Sequence, residues 1–294
     1  QLASWGKPMR LIHSLLSVLA LTVCTTVYGA SESGAGAVPS ARDQAPEILR
    51  KWMDARAGTG KPVYWIGVGD VYASPSGEKV FGTLFFDAST VIWPAEFKGQ
   101  KAVQLTRKIG VPTDLKTGEI MTEYKGQAVE PGAFPYQVLT YWLENGHIRA
   151  TAEYGLEPNL IKTTSVNGLG WRSMGADTLF VNAPIFINKT MPNGKLLQAW
   201  ENMDFFLHTP GTIAEPYQLS FVAYYDLPAW AGKGKTVGHI VSWRVESHDE
   251  FPPKLLAWAK ANASMWLMPP KDMKEIRALQ QPGQSGIKGW IDKK

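Results

Sequence analysis

Between residues 62 and 246 apolar and polar side chains mostly alternate, the two-residue period of a strand with one buried face. The period predicts strands over 62–72 (PVYWIGVGDVY), 79–87, 101–111, 136–143, 147–154, 178–188, 196–207, 217–225 and 236–246. Turn residues separate them. Ser74-Pro75-Ser76-Gly77 links the first two, Asp114-Leu115-Lys116-Thr117-Gly118 reads as a surface turn, and Pro192-Asn193-Gly194 joins two later strands. Glu144-Asn145-Gly146 is the clearest hairpin signal, because Asn-Gly suits the positive φ angles of a two-residue turn. Helical spacing occurs only towards the ends. Ile48, Leu49, Trp52 and Met53 mark a helix over 45–57, stopped by Gly58; Leu255, Leu256, Trp258 and Ala259 mark one over 253–265, before Pro269-Pro270. A short last helix is expected over 271–279. Many antiparallel strands between terminal helices predict a mainly β fold, an antiparallel β-barrel or strongly curved sheet with short flanking helices, since closure removes exposed edges.

The first 30 residues read differently. Arg10 follows Met9, an apolar run extends from Leu15 to Val23, and small residues follow at Val27-Tyr28-Gly29-Ala30. Basic, apolar and small-residue regions in that order predict a cleaved signal peptide, with cleavage after Gly29 or Ala30 and Gln1 to Pro8 lying upstream of the natural start. The run is too short to cross a bilayer, so no stable membrane span is expected after cleavage. Cys24 is not read as a lipidation site, because Val23 stands where lipidated leaders carry a small residue. The expected organisation is leader over 1–29, flexible linker over 30–44, a single β-rich domain over 45–280 and a loose tail over 281–294. The expected location is periplasmic or secreted.

Composition narrows the chemistry. The 294 residues are 45% hydrophobic and 19% charged, enough for a substantial core. The net charge is +4 with no basic block, so nucleic acid is not an expected partner. Losing residues 1–29 removes Lys7 and Arg10 and no carboxylate, so +4 less 2 leaves +2. It also removes Cys24 and His13, leaving no cysteine and four histidines. Disulfides, thiolate nucleophiles and cysteine-ligated metals are then excluded. P-loop, GxGxxG, HExxH, CxxC and Gly-x-Ser-x-Gly signatures are all absent. His147, His208, His239 and His248 are scattered singly, and neither metal nor cofactor is expected.

Two constellations remain. In a strand, His239, Val241, Trp243 and Val245 share one face, an imidazole among apolar neighbours where a pocket wall would place a general acid or base. The structural reading of His239 is a buried ring bonded to backbone. Trp200, Asn202 and Asp204 share a face of the segment ending at His208, and a carboxylate there must be paired or protonated. Tyr217, Leu219, Phe221 and Tyr225 form an aromatic face on the next strand. The candidate catalytic set is therefore His239, Asp204, Tyr217 and Tyr225. Trp230, Trp243, Trp65, Tyr141, Arg172 and His208 are candidate ligand contacts, although the aromatic residues among them also fit a plain core.

The chain resembles the bacterial domain of unknown function 1838 family over about residues 45–270. The resemblance rests on Glu201-Asn202-x-Asp204-Phe205-Phe206, Leu219-Ser220, Pro228-Ala229-Trp230, Gly238-His239, Phe251-Pro252-Pro253-Lys254-Leu255 and Asp114-x-x-Thr117-Gly118-Glu119. Tyr124-Lys125-Gly126-Gln127 stands where the family pattern has Asn-Pro-x-Thr-Gly. The resemblance implies one structural unit, with His239, Asp204 and Trp230 at matched positions, and brings no reaction with it.

The expectation is thus an exported β-rich enzyme that acts on an apolar or aromatic small molecule by metal-free acid–base chemistry of lyase, isomerase or hydratase type. The alternative is a non-catalytic periplasmic carrier of the same ligand class. The sequence does not bear on oligomeric state.

Overall fold

The computed structural model describes residues 41–155, 160–164, 168–190, 194 and 196–280. The expected leader, the linker up to residue 40, the turn at Pro192-Asn193 and the tail lie outside the described residues. The elements run α1 (Ala41–Ala57), β1 (Val63–Ser74), β2 (Lys79–Ile92), β3 (Lys101–Thr113), β4 (Glu123–Tyr124), β5 (Gln127–Ala128), β6 (Gly132–Glu144) and β7 (His147–Tyr154). They continue as β8 (Ile161–Thr164), β9 (Gly170–Ser173), β10 (Thr178–Thr190), β11 (Leu196–His208), β12 (Tyr217–Asp226), β13 (Lys235–Val245), α2 (Pro253–Asn262) and α3 (Met273–Leu279).

Eleven strands form one sheet in the order β8-β7-β6-β3-β2-β1-β13-β12-β11-β10-β9, antiparallel throughout. The sheet curls strongly into a half-barrel, as the sequence predicted. β4 and β5 pair separately as a small hairpin turning through Lys125 and Gly126, both at positive φ. The Asn145-Gly146 turn also has both residues at positive φ, the geometry its dipeptide requires. Leu169 N donates to Ile148 O at 2.8 Å while the neighbouring β9 pairs with β10, so residues 169–173 draw the two margins of the sheet together. Tight curling demands close backbones. A Cβ on Gly69 in β1 would stand 2.1 Å from the His239 carbonyl oxygen of β13, so only glycine admits that approach.

Both faces of the sheet carry apolar residues, because each is covered in part. On the concave side α1 inserts Ile48, Leu49, Trp52 and Met53 against Trp65, Tyr141, Phe205 and Leu219. On the convex side Phe251, Leu255 and Ala259, with Trp266 after α2, cover Tyr64, Ile66, Phe86 and Ile109. Ile276 of α3 packs on Leu105, Tyr136 and Val138. α1 begins at Ala41, a turn before the expected start, and carries Pro46 inside it.

Candidate functional site

The face of β13 that carries His239 and Trp243 is the convex one, not the pocket wall expected. His239 is exposed in mid-strand, with Nε2 3.3 Å from Ser220 Oγ on β12. Its neighbour Val241 is 48% exposed, and Val68 opposite it on β1 is 49% exposed. Trp243 and Val245 on the same face are apolar because the C-terminal segment covers them. Asp204 shares the convex face two strands away, where it accepts from Asn182 Nδ2 at 2.6 Å and Asn202 Nδ2 at 2.9 Å. The expectation of a desolvated His239 beside Asp204 in one cavity is therefore corrected: both stand on an open sheet surface. Arg172 is exposed on β9 with its guanidinium 4.8 Å from the Phe180 ring. His208 closes β11 with Nδ1 2.9 Å from Thr178 Oγ1.

Other expected contacts are structural. Trp65 is fully buried, with Nε1 donating to Arg56 O at 3.1 Å. Tyr141 is buried edge-on to Trp52, its hydroxyl donates to Gln104 Oε1 at 3.3 Å, and burial pushes its pKa up to about 12. Tyr217 lies on the concave side with the Arg244 guanidinium 4.9 Å from its ring; burial raises its pKa. Trp230 braces the β4–β5 hairpin, its ring tilted against Phe81 and edge-on to Tyr124 and its Nε1 donating to Glu130 O at 3.1 Å. The α1 half of the interior is filled. The space left between Tyr141, Ala152, Ala183 and Met203 is about 20 Å³, room for one water and not for a ligand.

The other half of the concave face is different. It gathers Lys108 from β3, Phe134 from β6, Tyr154 from β7, Glu201 from β11, and Phe221 and Tyr225 from β12, all partly exposed. The partial exposure of all six makes this half a bowl open to water. A β-bulge in β6 sets Phe134 opposite the lysine. Thr106 pairs with Gln137 but Lys108 with Phe134, so β6 has one extra residue there. The bulge is pinned from outside: Trp266 Nε1 donates to Lys108 O at 3.2 Å and Phe134 O at 3.1 Å. Buried Arg107 donates from Nε to Pro135 O at 2.9 Å and from Nη2 to Glu275.

Lys108 Nζ stands 5.5 Å from the Phe134 ring, and among the described residues no acceptor lies within hydrogen-bond reach of it. Burial lowers its pKa; Glu201 and Asp87 oppose the shift and Arg56 adds to it. Glu201 also bears on Tyr154 and Tyr225, whose pKa values are raised by burial first and by that carboxylate second. The Thr236 hydroxyl tempers the shift at Tyr225, and that ring lies over Gly238. One lysine, one carboxylate and two protonated phenols thus face an aromatic-lined bowl, a set able to transfer protons.

The stability–pH profile follows from these directions. Below its folded pKa Lys108 is charged in both states and the burial cost is complete. Raising the pH through that value removes the proton from the folded chain first, so stability rises until the unfolded lysine, near 10.5, has also lost its own. Tyr141, Tyr154, Tyr217 and Tyr225 act in the opposite sense above pH 10.0, where the unfolded phenols ionise and the buried ones do not. Urea midpoints are therefore expected to climb with pH once the folded lysine loses its proton and to fall beyond about pH 10. Lys108→Met is expected to be more stable at neutral pH and to lose the climb; an unchanged climb would refute the assignment.

Of the candidate catalytic residues only Tyr225 lines this bowl. Lys108, Glu201 and Tyr154 were not singled out from the sequence. Glu201 left a signal, since it shares a face with Met203, Phe205 and Leu207 and is the lone carboxylate on that apolar side. Lys108 shares its β3 face with Gln104 and Thr106 by plain alternation, but nothing in the pattern says that this polar face turns inward. Among the described residues no three His, Cys, Asp or Glu side chains are grouped to hold a metal ion. No family model, curated protein or solved structure matches the chain.

Proposed function

We propose that the chain binds an apolar or aromatic small molecule in the open bowl and acts on it by metal-free acid–base chemistry, with Lys108 moving the proton. The observation that carries this reading is the ammonium-bearing side chain of Lys108, without a hydrogen-bonded partner among the described residues, aimed at an aromatic-lined and water-accessible interior. A desolvated ammonium without a hydrogen-bonded partner costs stability. A ligand with an anionic or carbonyl oxygen would supply the missing partner while its apolar body meets Phe134, Phe221 and Tyr225. Tyr154 and Tyr225 are the hydroxyl donors of the proposal and Glu201 its second acid–base group. An exported location, supported by the leader-like order of residues 9–30, and membership of the family resembled, whose pattern includes Glu201, belong to the same proposal.

Fluorescence titration with anilinonaphthalene sulfonate, an aromatic anion, tests it. Lys108→Met is expected to weaken binding about tenfold or more, since a hydrogen bond to a charged group contributes about 1.5–3 kcal/mol. His239→Ala, on the convex face, is expected to bind as the parent does. Equal affinity for the parent and Lys108→Met would sink the reading. Mass spectrometry of molecules that co-purify then supplies the compound for turnover assays, and a compound returned unchanged would make the chain a carrier.

A further inference from the structure

We infer that Lys108 is a covalent nucleophile, forming an imine with an aldehyde or ketone held in the bowl. The inference rests on the reading above and names its substrate class. Imine formation is favoured by an amine that gives up its proton more readily than a surface lysine, is free of a carboxylate contact, and is reachable by a carbonyl carbon. The other lysines with described partners fail the second condition. Lys79 is bound to Asp70 and Lys235 to Asp226, each at 2.7 Å, Lys51 to Glu47 at 2.9 Å and Lys162 to Glu153 at 3.0 Å. Lys108 meets all three conditions. Its nearest carboxylate in register, Asp87, is already taken by Arg56 through two bonds of 3.2 and 2.7 Å. Burial lowers the Lys108 pKa first, Glu201 and Asp87 oppose that shift, and the Arg56 cation adds to it.

The step balances without any further reactant. The Nζ lone pair forms a bond to the carbonyl carbon as the C=O π pair moves onto oxygen. The two amine protons pass in turn to that oxygen, with the Glu201 carboxylate as carrier, and the C–O bond breaks to release water. The phenols of Tyr154 and Tyr225, kept protonated by burial, donate to the oxygen as negative charge develops on it. An aromatic carbonyl compound suits the rings of Phe134 and Tyr154, which meet edge-to-face at 5.6 Å.

The test is reductive trapping of the parent protein with benzaldehyde and cyanoborohydride at neutral pH, followed by peptide mapping. Each unit by which an amine's pKa lies below that of a surface lysine raises its reactive fraction about tenfold, so Lys108 is expected to carry the benzyl group before any other lysine. Excess anilinonaphthalene sulfonate is expected to suppress that label and leave the slow surface labelling unchanged. Benzylation spread over surface lysines with Lys108 unmodified would overturn the inference. The outcome is separable from the binding reading, which stands or falls on the dye affinity of Lys108→Met. Because the mapping uses the parent chain, it does not depend on a variant that folds.

Discussion

Replacing Trp52 by alanine is expected to lower the unfolding free energy by about 3–5 kcal/mol, read as a fall in the urea midpoint at unchanged slope. Trp52 is 1% exposed and is the largest side chain with which α1 fills the concave face. Its indole meets Phe205 edge-on at 4.5 Å and Tyr141 edge-on at 6.2 Å. Strands on both sides of the half-barrel rest on this one ring, so the space it vacates cannot be closed by moving a single element. A vacated apolar space of that kind is expected to accept free indole, which binds only the folded form and so restores part of the lost stability in proportion to its concentration. A small loss that indole does not reverse would show that α1 is an ornament of the barrel and not its plug.

The sequence reading of the fold succeeded where a strand was long. Nine predicted strands have counterparts because each carries enough alternation to establish the period over ten or so residues. The β4–β5 hairpin and the two edge strands β8 and β9 went unseen, since two to four residues cannot display a period. Faces were the harder matter. Alternation assigns His239, Trp243 and Val245 to one face of β13, yet it does not say whether that face is concave or convex. Here the apolar end of the convex face is explained by Phe251, Leu255 and Trp266, which return from the far end of the chain to cover it. The same ambiguity drew attention to Asp204 on β11 when the side facing the bowl was the one with Glu201. Lys108 was the least legible: alternation on β3 places it with Gln104 and Thr106 but does not mark that face as concave, and Phe134 joins it only because the β6 bulge exchanges the faces of that strand.

The Arg56–Asp87 pair joins the stability of the fold to the chemistry of the bowl. Arg56 is 5% and Asp87 1% exposed; besides their two mutual bonds, Arg56 Nη1 reaches Ser89 Oγ at 3.3 Å. Ser89 is linked to Thr106 at 2.9 Å and to Gln104 at 3.1 Å, so the ion pair ends in a satisfied buried network. The Arg56 guanidinium also stacks on Trp65 at 5.6 Å and on Phe205 at 5.8 Å. Arg56→Met leaves the Asp87 carboxylate buried without its partner, and the expected loss is about 3–5 kcal/mol in urea unfolding. Arg56→Met with Asp87→Leu removes both charges and is expected to recover most of that loss, since burying a pair gains little over burying apolar atoms of similar volume. If the double variant is no more stable than the single one, the pair is not the reason for the loss. The single variant has a second consequence. With Arg56 gone, Asp87 has Lys108 as its cross-strand cation and the like charge acting on Lys108 is removed, so the lysine holds its proton more firmly. Benzaldehyde labelling of Lys108 at neutral pH is therefore expected to slow in Arg56→Met, under conditions where the variant remains folded. Labelling at an unchanged or faster rate would mean that Arg56 holds the fold without tuning the amine.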